Sequence, residues 1–251
     1  MSSIKISKMQ HLKSYFLQIE NIMKAQVSTD KTYHLMSSLD QGFKDLANID
    51  IDINEARSAL LNYYKTRYLP RIDYSIEGSV KKRTPQSYLP TSDSGIIAQY
   101  LFLVQNDKGI NAKHKFIANT NYRNSYSNIH LYEHPSLVTI LEKFGEEDVY
   151  LVNAKGDVVY SIYKNSDFGT NLLKGPYKNT ALATVFKKSS RLKQGKIAVN
   201  DISNYEPRLN KKIAFIAAPI YYENKYQGSI IFQFPMSKVD AIMNFHYQYD
   251  K

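Results

Sequence analysis

Between residues 12 and 46 apolar side chains recur at intervals of three and four: Leu12, Tyr15, Phe16, Ile19, Ile22 and Met23, then Leu35, Met36, Leu39, Phe43 and Leu46. That period predicts one amphipathic helix, or two in line, with a break at Ser28-Thr29-Asp30, whose side chains suit a cap. Asn54 is placed to cap a further helix carrying Ala56, Leu60, Leu61 and Tyr64 on its buried stripe and ending before Pro70. Between Tyr68 and Pro90 three prolines and the cluster Lys81-Lys82-Arg83 read as loop. The apolar block at 96–104 is a buried helix or strand, which its period alone does not decide. The polar, aromatic run NTNYRNSYSN is predicted irregular, followed by a helix that starts near Pro135 and stops at Gly145.

Beyond Gly145 the pattern changes to short β-rich runs. EDVYLVNAKGDVVYSIY predicts a hairpin around Asn153-Ala154-Lys155-Gly156-Asp157, with glycine where positive φ is needed. Leu182, Val185 and Phe186 then mark a helix within 179–193. IAVNDISNY, KKIAFIAAPIYY and QGSIIFQFP read as three strands, the last two joined at Glu223-Asn224-Lys225, and Ser237 suits the cap of a closing helix, KVDAIMNFH. Helices first, then strand, strand, helix, three strands and a helix predict an α+β fold with a five-stranded antiparallel sheet.

Composition narrows the chemistry. A chain of 251 residues holds one large domain or two modest ones. It has no cysteine, which removes disulfides, thiolate nucleophiles and Cys-ligated metals. Its 21 Tyr and 11 Phe, with no Trp, favour half-wet apolar surfaces such as pockets and interfaces. On the N-terminal helices they fit a homodimer seam and an ordinary core equally. The net charge of +10 is spread evenly: 18 Lys+Arg against 13 Asp+Glu before Gly145, and 15 against 10 after it. With lysine dominating and no basic tail, a solvated surface is favoured over nucleic-acid binding. No apolar run is long enough to span a membrane, and the opening MSSIKISKMQHLKSYF lacks a signal-peptide core. The chain reads as soluble, including as a piece cut from between two spans.

Enzymatic signatures are missing. There is no G-x-S-x-G, H-E-x-x-H or P-loop, and the hairpin turn lacks the carboxylate spacing of a calcium loop. His130 and His134 have helix-ligand spacing, but Pro135 follows at once, and a packing role is preferred to a metal. No cofactor is expected.

The stretch VVYSIYKNSDFGTNLLKGPY runs from an alternating strand into a loop rich in hydroxyls and amides. Asp167, Thr170, Asn171 and Tyr177 gather where a sheet hands over to a covering helix; taken singly each suits a turn. Together with Asp201 and Tyr205 they resemble the few polar groups of an otherwise apolar ligand pocket.

FGEEDVYLVNAKGDVVYSIYK, SDFGTNLLKGPY, VNDISNYEP, AFIAAPIYY and YQGSIIFQFP, in that order, resemble the Cache-type (PAS-like) sensor domain of bacterial methyl-accepting chemotaxis receptors, also found on sensor kinases and cyclases. The likeness covers about 144–243, and more softly the lead-in ALLNYYKTRYLPRI, QYLFLVQND and SYSNIHLYEHPSL. It departs at Glu146 and Glu147, where the family usually has aromatic residues, and at Asn165, where it usually has an acid.

The resemblance implies a helical lead-in at 1–143 and a PAS-like sensor module at 144–251. It further implies a non-enzymatic, periplasmic ligand-binding portion of an inner-membrane receptor, whose membrane spans lie outside this chain and whose terminal helices move on binding. Tyr160, Tyr163, Asp167, Thr170, Asn171 and Tyr177 would line or close the pocket, with Phe215 and Ala217 as its floor. Asp201, beside Tyr205, would hold a ligand cation such as an amine; amino acids, amines and organic acids are all open. The alternative is a secreted or periplasmic binding or effector protein built on the same module.

Overall fold

The computed structural model describes residues 3–79, 81–118, 121–144 and 148–235. The predicted closing helix, its Ser237 cap, and the positions Gly145, Glu146 and Glu147 lie outside them.

The first predicted helix is two: α1, Ser3–Val27, and α2, Asp30–Asp45. The break falls at Thr29, which is extended but makes no side-chain cap bond. Ile19, Met23 and Val27 of α1, and Met36, Leu39 and Phe43 of α2, are buried, so the three-four period does mark the inward face. Each such side chain contributes roughly 1.5–3 kcal/mol by leaving water. Helix α3, Ile53–Tyr63, is capped by Asp52 rather than Asn54: the Asp52 carboxylate accepts from the amides of Asn54 and Glu55. A π-turn at Tyr64–Tyr68 continues it toward Pro70. The ambiguous apolar block is helical, as α4, Asp93–Gln99, running into a second π-turn, Tyr100–Val104. Helix α5, Ser125–Phe144, begins ten residues before Pro135 and carries that proline inside it. Its upstream start is fixed by tertiary contact, because Tyr126, Ser127 and His130 are all buried.

The sheet follows. Strands β1, Asp148–Asn153, and β2, Val158–Ser161, form the predicted hairpin. Asn153 Oδ1 accepts from the amides of Lys155 and Asp157, and Gly156 takes φ 90°. Helix α6, Ala181–Ser189, capped by Thr180, crosses over. The strand expected at 197–205 is broken into β3, Ala198–Val199, and β4, Ser203–Tyr205, each pairing with β5, Lys211–Tyr222. β6, Lys225–Pro235, returns after Glu223 and Asn224, both with positive φ, as a tight hairpin turn demands. All pairings are antiparallel, in the order β2-β1-β6-β5-β3, with β4 also on β5. The chain therefore has the predicted α+β fold, five strand positions wide with one of them split.

β1 and β2 are buried throughout, because both faces of the sheet are covered. On one face Phe16 of α1 meets Phe234 edge-on at 5.6 Å, and α2 packs against β1, β2 and β5. On the other face Ser189 of α6 bonds Ser229 at 2.9 Å. The polar loop after β2 folds back along its strand: Val158 N donates to Thr170 O, and Gly169 N to Val158 O. Upstream residues cover that loop. Gln99 of α4 donates to the carbonyls of Ser166 and Phe168 and accepts from the Tyr64 hydroxyl. Gly169, at φ 74°, lies so close to Gly95 that a side chain on Gly95 would reach the Gly169 carbonyl at 2.2 Å.

Candidate functional site

Strand alternation divides the residues singled out from sequence between the two faces. Tyr160 pairs with Leu151, whereas Ser161 pairs with Tyr150, which pairs in turn with Ile231 opposite Ala217. Tyr160 thus faces the N-terminal helices, and its hydroxyl meets His134 Nδ1 at 2.6 Å. Phe215 and Ala217 share the α6 face with Tyr150, whose ring lies 6.2 Å from that of Phe215. Tyr205 joins this face: its ring is 4.9 Å from Phe215 and its hydroxyl donates to Asp167 Oδ2 at 2.5 Å. Asp167 is fully buried, its Oδ1 has no hydrogen-bond partner, and burial pushes its carboxyl up from the ordinary range.

Thr170 and Asn171 hold the loop rather than face a cavity. Thr170 Oγ1 donates to Asp167 O at 2.7 Å; Asn171 bonds Lys155 O and Asp157 and receives the amides of Leu173 and Lys174. Tyr177 is buried and donates to Ser166 Oγ at 2.6 Å. Asp201 is exposed, between β3 and β4, and is not brought together with the others.

A cavity of about 230 Å³ opens at the seam between sheet and lead-in, and of the predicted residues only Tyr163 lines it. Its walls are Tyr163 and Asn165 from the loop after β2, Pro207 to Leu209 and Lys211 from the turn before β5, and Tyr68 and Lys113 from upstream. The turn is held in an uncommon backbone form: Leu209 and Asn210 have φ of 55° and 62°. Asn210 anchors it through its amide to Tyr205 O and its side chain to Asp73 O. The Arg208 guanidinium is thereby set over the Tyr163 ring at 4.9 Å. Asn165 is 6% exposed, and its Nδ2 has no hydrogen-bond partner.

A chain of hydroxyls ties the walls together. Tyr177 donates to Ser166, Ser166 to Tyr68, and Tyr68 to the Glu206 carbonyl at 3.0 Å. The buried Glu206 carboxylate receives both Arg83 and the Tyr88 hydroxyl, and Arg83 also reaches Pro176 O.

Lys113, Lys164, Asp148, His130 and His134 are ionisable groups buried in the protein interior. Lys113 donates to Lys164 O at 3.0 Å, and burial holds its ammonium down to about 8, against the opposing pull of Asp167. Lys164, at φ 50°, turns its ammonium inward to the Ser161 carbonyl and over the rings of Tyr160, Phe168 and Phe102. Burial holds that ammonium well below its ordinary value. Asp148 receives the amides of Val149, Ile162 and Tyr163 on Oδ1; burial, then the charge of Asp167, pushes it up to about 7. His130 and His134 stack at 4.2 Å on the inner side of α5. Burial, then Lys164, holds His134 down to about 3.

Sequence reasoning missed Tyr68, Lys113, Arg208 and Lys211 as cavity walls, and named Asn165 only as a departure from a family pattern. Its one signal for Lys113 and Arg208 was charge, which 33 Lys and Arg dilute.

No protein-family model matches the chain, and no curated protein is similar to it. Among solved structures, the chain is similar to the sensor domain of the histidine kinase DctB of V. cholerae, at 16% identity and a TM-score of 0.35, over 76% of this chain. It spans 58% of that chain. It is also similar to the ligand-binding domain of the amino acid chemoreceptor PctC of Pseudomonas aeruginosa PAO1, a complex with GABA. There the identity is 11% and the TM-score 0.30, over 86% of this chain and 69% of that one. The α+β fold itself is carried by this chain's own strand order.

Proposed function

We propose that this chain is the extracytoplasmic, non-enzymatic sensor portion of a transmembrane signalling receptor, in which residues 144–251 form the sensing module and residues 1–143 its helical lead-in. The observation that carries the reading is the cavity at their seam. Its walls come from the loop after β2, the turn before β5 and two upstream segments, so that a ligand there touches both parts at once. The buried, unpartnered Asn165 amide supports a polar occupant, since such a donor costs about 1–3 kcal/mol when left unmade. Among the described residues no helix is long and apolar enough to cross a membrane, so any spans lie elsewhere in such a receptor.

The test is a thermal-shift screen of the chain against amino acids, amines, organic acids, sugars and nucleosides. A ligand at a hundred times its dissociation constant stabilises by about 2.7 kcal/mol. Hydrogen exchange of the complex is then expected to slow at 163–168 and 206–211 together. A blank across all classes, or a hit whose protection lies away from these two segments, would sink the proposal.

A further inference from the structure

A second cavity, of about 310 Å³, lies on the other side of Lys113, lined by Tyr63, Arg67, Arg71, Leu103 and Lys108 among others. Among the described residues, Lys113 is the one wall residue the two cavities share. The first presents Lys113, Arg208 and Lys211; the second adds Arg67, Arg71 and Lys108; among the described residues neither has an aspartate or glutamate in its lining. The chain has 23 acidic residues against 33 basic ones, so two neighbouring cavities lined, among the described residues, by six cations and no acid depart from the even spread of charge along the sequence.

We propose that the seam cavity takes a small organic anion of the carboxylate class, its charged end held by Lys113, Arg208 and the Asn165 amide. This rests on the sensor reading above and names the chemistry of its ligand. Each part of the site contributes a distinct requirement. Arg208 is preset, because the left-handed residues after it and the Tyr163 ring beneath it fix the guanidinium at the cavity wall. Lys113 is buried with its ammonium on the Lys164 carbonyl and near the Tyr63 hydroxyl, both neutral acceptors. A buried ammonium without a contacting carboxylate gains most from an incoming anion. Asn165 Nδ2 is a donor 6% exposed, without a partner, in the same wall. The remaining walls, Tyr68, Tyr163, Pro207 and Leu209, are rings and aliphatic surface, which select an anion with an organic body over bare phosphate.

The groups facing Lys113 from neighbouring elements are Asp167, Arg208, Asp148 and Arg71. Burial pushes both carboxyls upward, which weakens their claim on the ammonium. An anion beside Lys113 would restore its proton, so binding above pH 8 should draw up to one proton from the buffer.

The experiment is calorimetry on the whole chain with matched probes: butyrate, succinate and aspartate; the neutral butyramide and succinamide; butylamine; and inorganic phosphate. At least one carboxylate is expected to bind, its amide partner not. Lys113→Met and Arg208→Gln should each weaken that carboxylate at least tenfold, and titrations at pH 8.5 in two buffers of different ionisation heat should show proton uptake by wild type but not by Lys113→Met. Thermal melting of each variant checks that its fold is intact, and Arg208→Gln, at a partly exposed position, is a second variant that keeps the test open should Lys113→Met fail to fold. Equal binding of amides, or of butylamine alone, would overturn the charge assignment while leaving a sensor cavity. Phosphate alone would overturn the organic class. Carboxylate binding indifferent to both substitutions would overturn the site, and no binding by any probe would overturn the inference together with the reading beneath it.

Discussion

Replacing Asp148 by asparagine should remove a pH dependence that this one carboxyl builds into the fold. Asp148 opens β1 at full burial, with Oδ1 accepting the amides of Val149 and Ile162 at 2.8 Å and Tyr163 at 3.3 Å, while Oδ2 has no hydrogen-bond partner. Burial, reinforced by the charge of Asp167, raises it from 3.8 to about 7. In the unfolded chain it titrates near 3.9. Between these values the folded state keeps a proton that the unfolded state has released. The stabilisation is therefore full below about pH 4 and gone once the pH has risen through about 7. At about 1.36 kcal/mol per pH unit, that displacement is worth about 4 kcal/mol. Asparagine keeps the carbonyl oxygen for the three amides and carries no charge at any pH. Urea denaturation of both proteins at pH 4.5, 6, 7 and 8 isolates the effect, since the other titrating groups are common to the pair. The variant should gain on the wild type by about 3–4 kcal/mol across the series. A difference constant with pH would refute the reasoning, because it would mean that Asp148 ionises in the fold as easily as in water.

Three further outcomes test other joints of the structure. Glu206→Ala strips the carboxylate from Arg83 and the Tyr88 hydroxyl in a buried setting, and chemical denaturation should show a loss of about 3–5 kcal/mol. Gly95→Ala places a methyl 2.2 Å from the Gly169 carbonyl, and should cost roughly 1–3 kcal/mol by forcing α4 off the polar loop, read as a lower melting temperature. His134 is held down to about 3 by burial and Lys164, so its imidazole resonances should not titrate between pH 8 and 5, whereas an ordinary histidine would pass its midpoint near 6.5.

The fold was legible wherever local period and burial agree. α2 and the β5–β6 hairpin declare themselves, because Met36, Leu39 and Phe43 keep a helical spacing and Glu223-Asn224 can take positive φ. The start of α5 was hidden because Tyr126, Ser127 and His130 are polar or aromatic residues that only tertiary packing makes a buried face. The split between β3 and β4 was hidden for a related reason: Asn200, in the gap, donates its amide to Phe215 O and accepts from Phe215 N through its side chain, replacing ladder bonds with a side-chain one. The loop after β2 was rightly marked as unusual, yet most of its polar groups serve its own folding. Thr170 and Asn171 spend their bonds on the loop and hairpin, as turn residues do. The cavity walls escaped because they meet only in space: Tyr68, Lys113, Tyr163 and Arg208 come from four separated stretches.

Under the proposed reading, that separation is what would give the cavity leverage over the rest of the molecule. Tyr68 is bonded both to Ser166 in the loop and to the Glu206 carbonyl in the turn, and Arg83 clamps the same turn to Pro176. Drawing Asn165 and Arg208 toward one occupant would therefore pull on a connected frame rather than on two loose loops. The turn leads directly into β5, and β5 is a strand against which α1 packs. A ligand can shift such a frame only by its differential affinity for two arrangements; moving a 1:99 equilibrium to 99:1 needs about 5.5 kcal/mol of it. A neutral ligand held by one amide, at about 0.5–1.5 kcal/mol net, falls short of that. Charge-assisted bonds, at about 1.5–3 kcal/mol each, reach it when two or three close together on one anion. Under the proposed reading, then, the cations of this cavity would select the ligand and supply the work of the response.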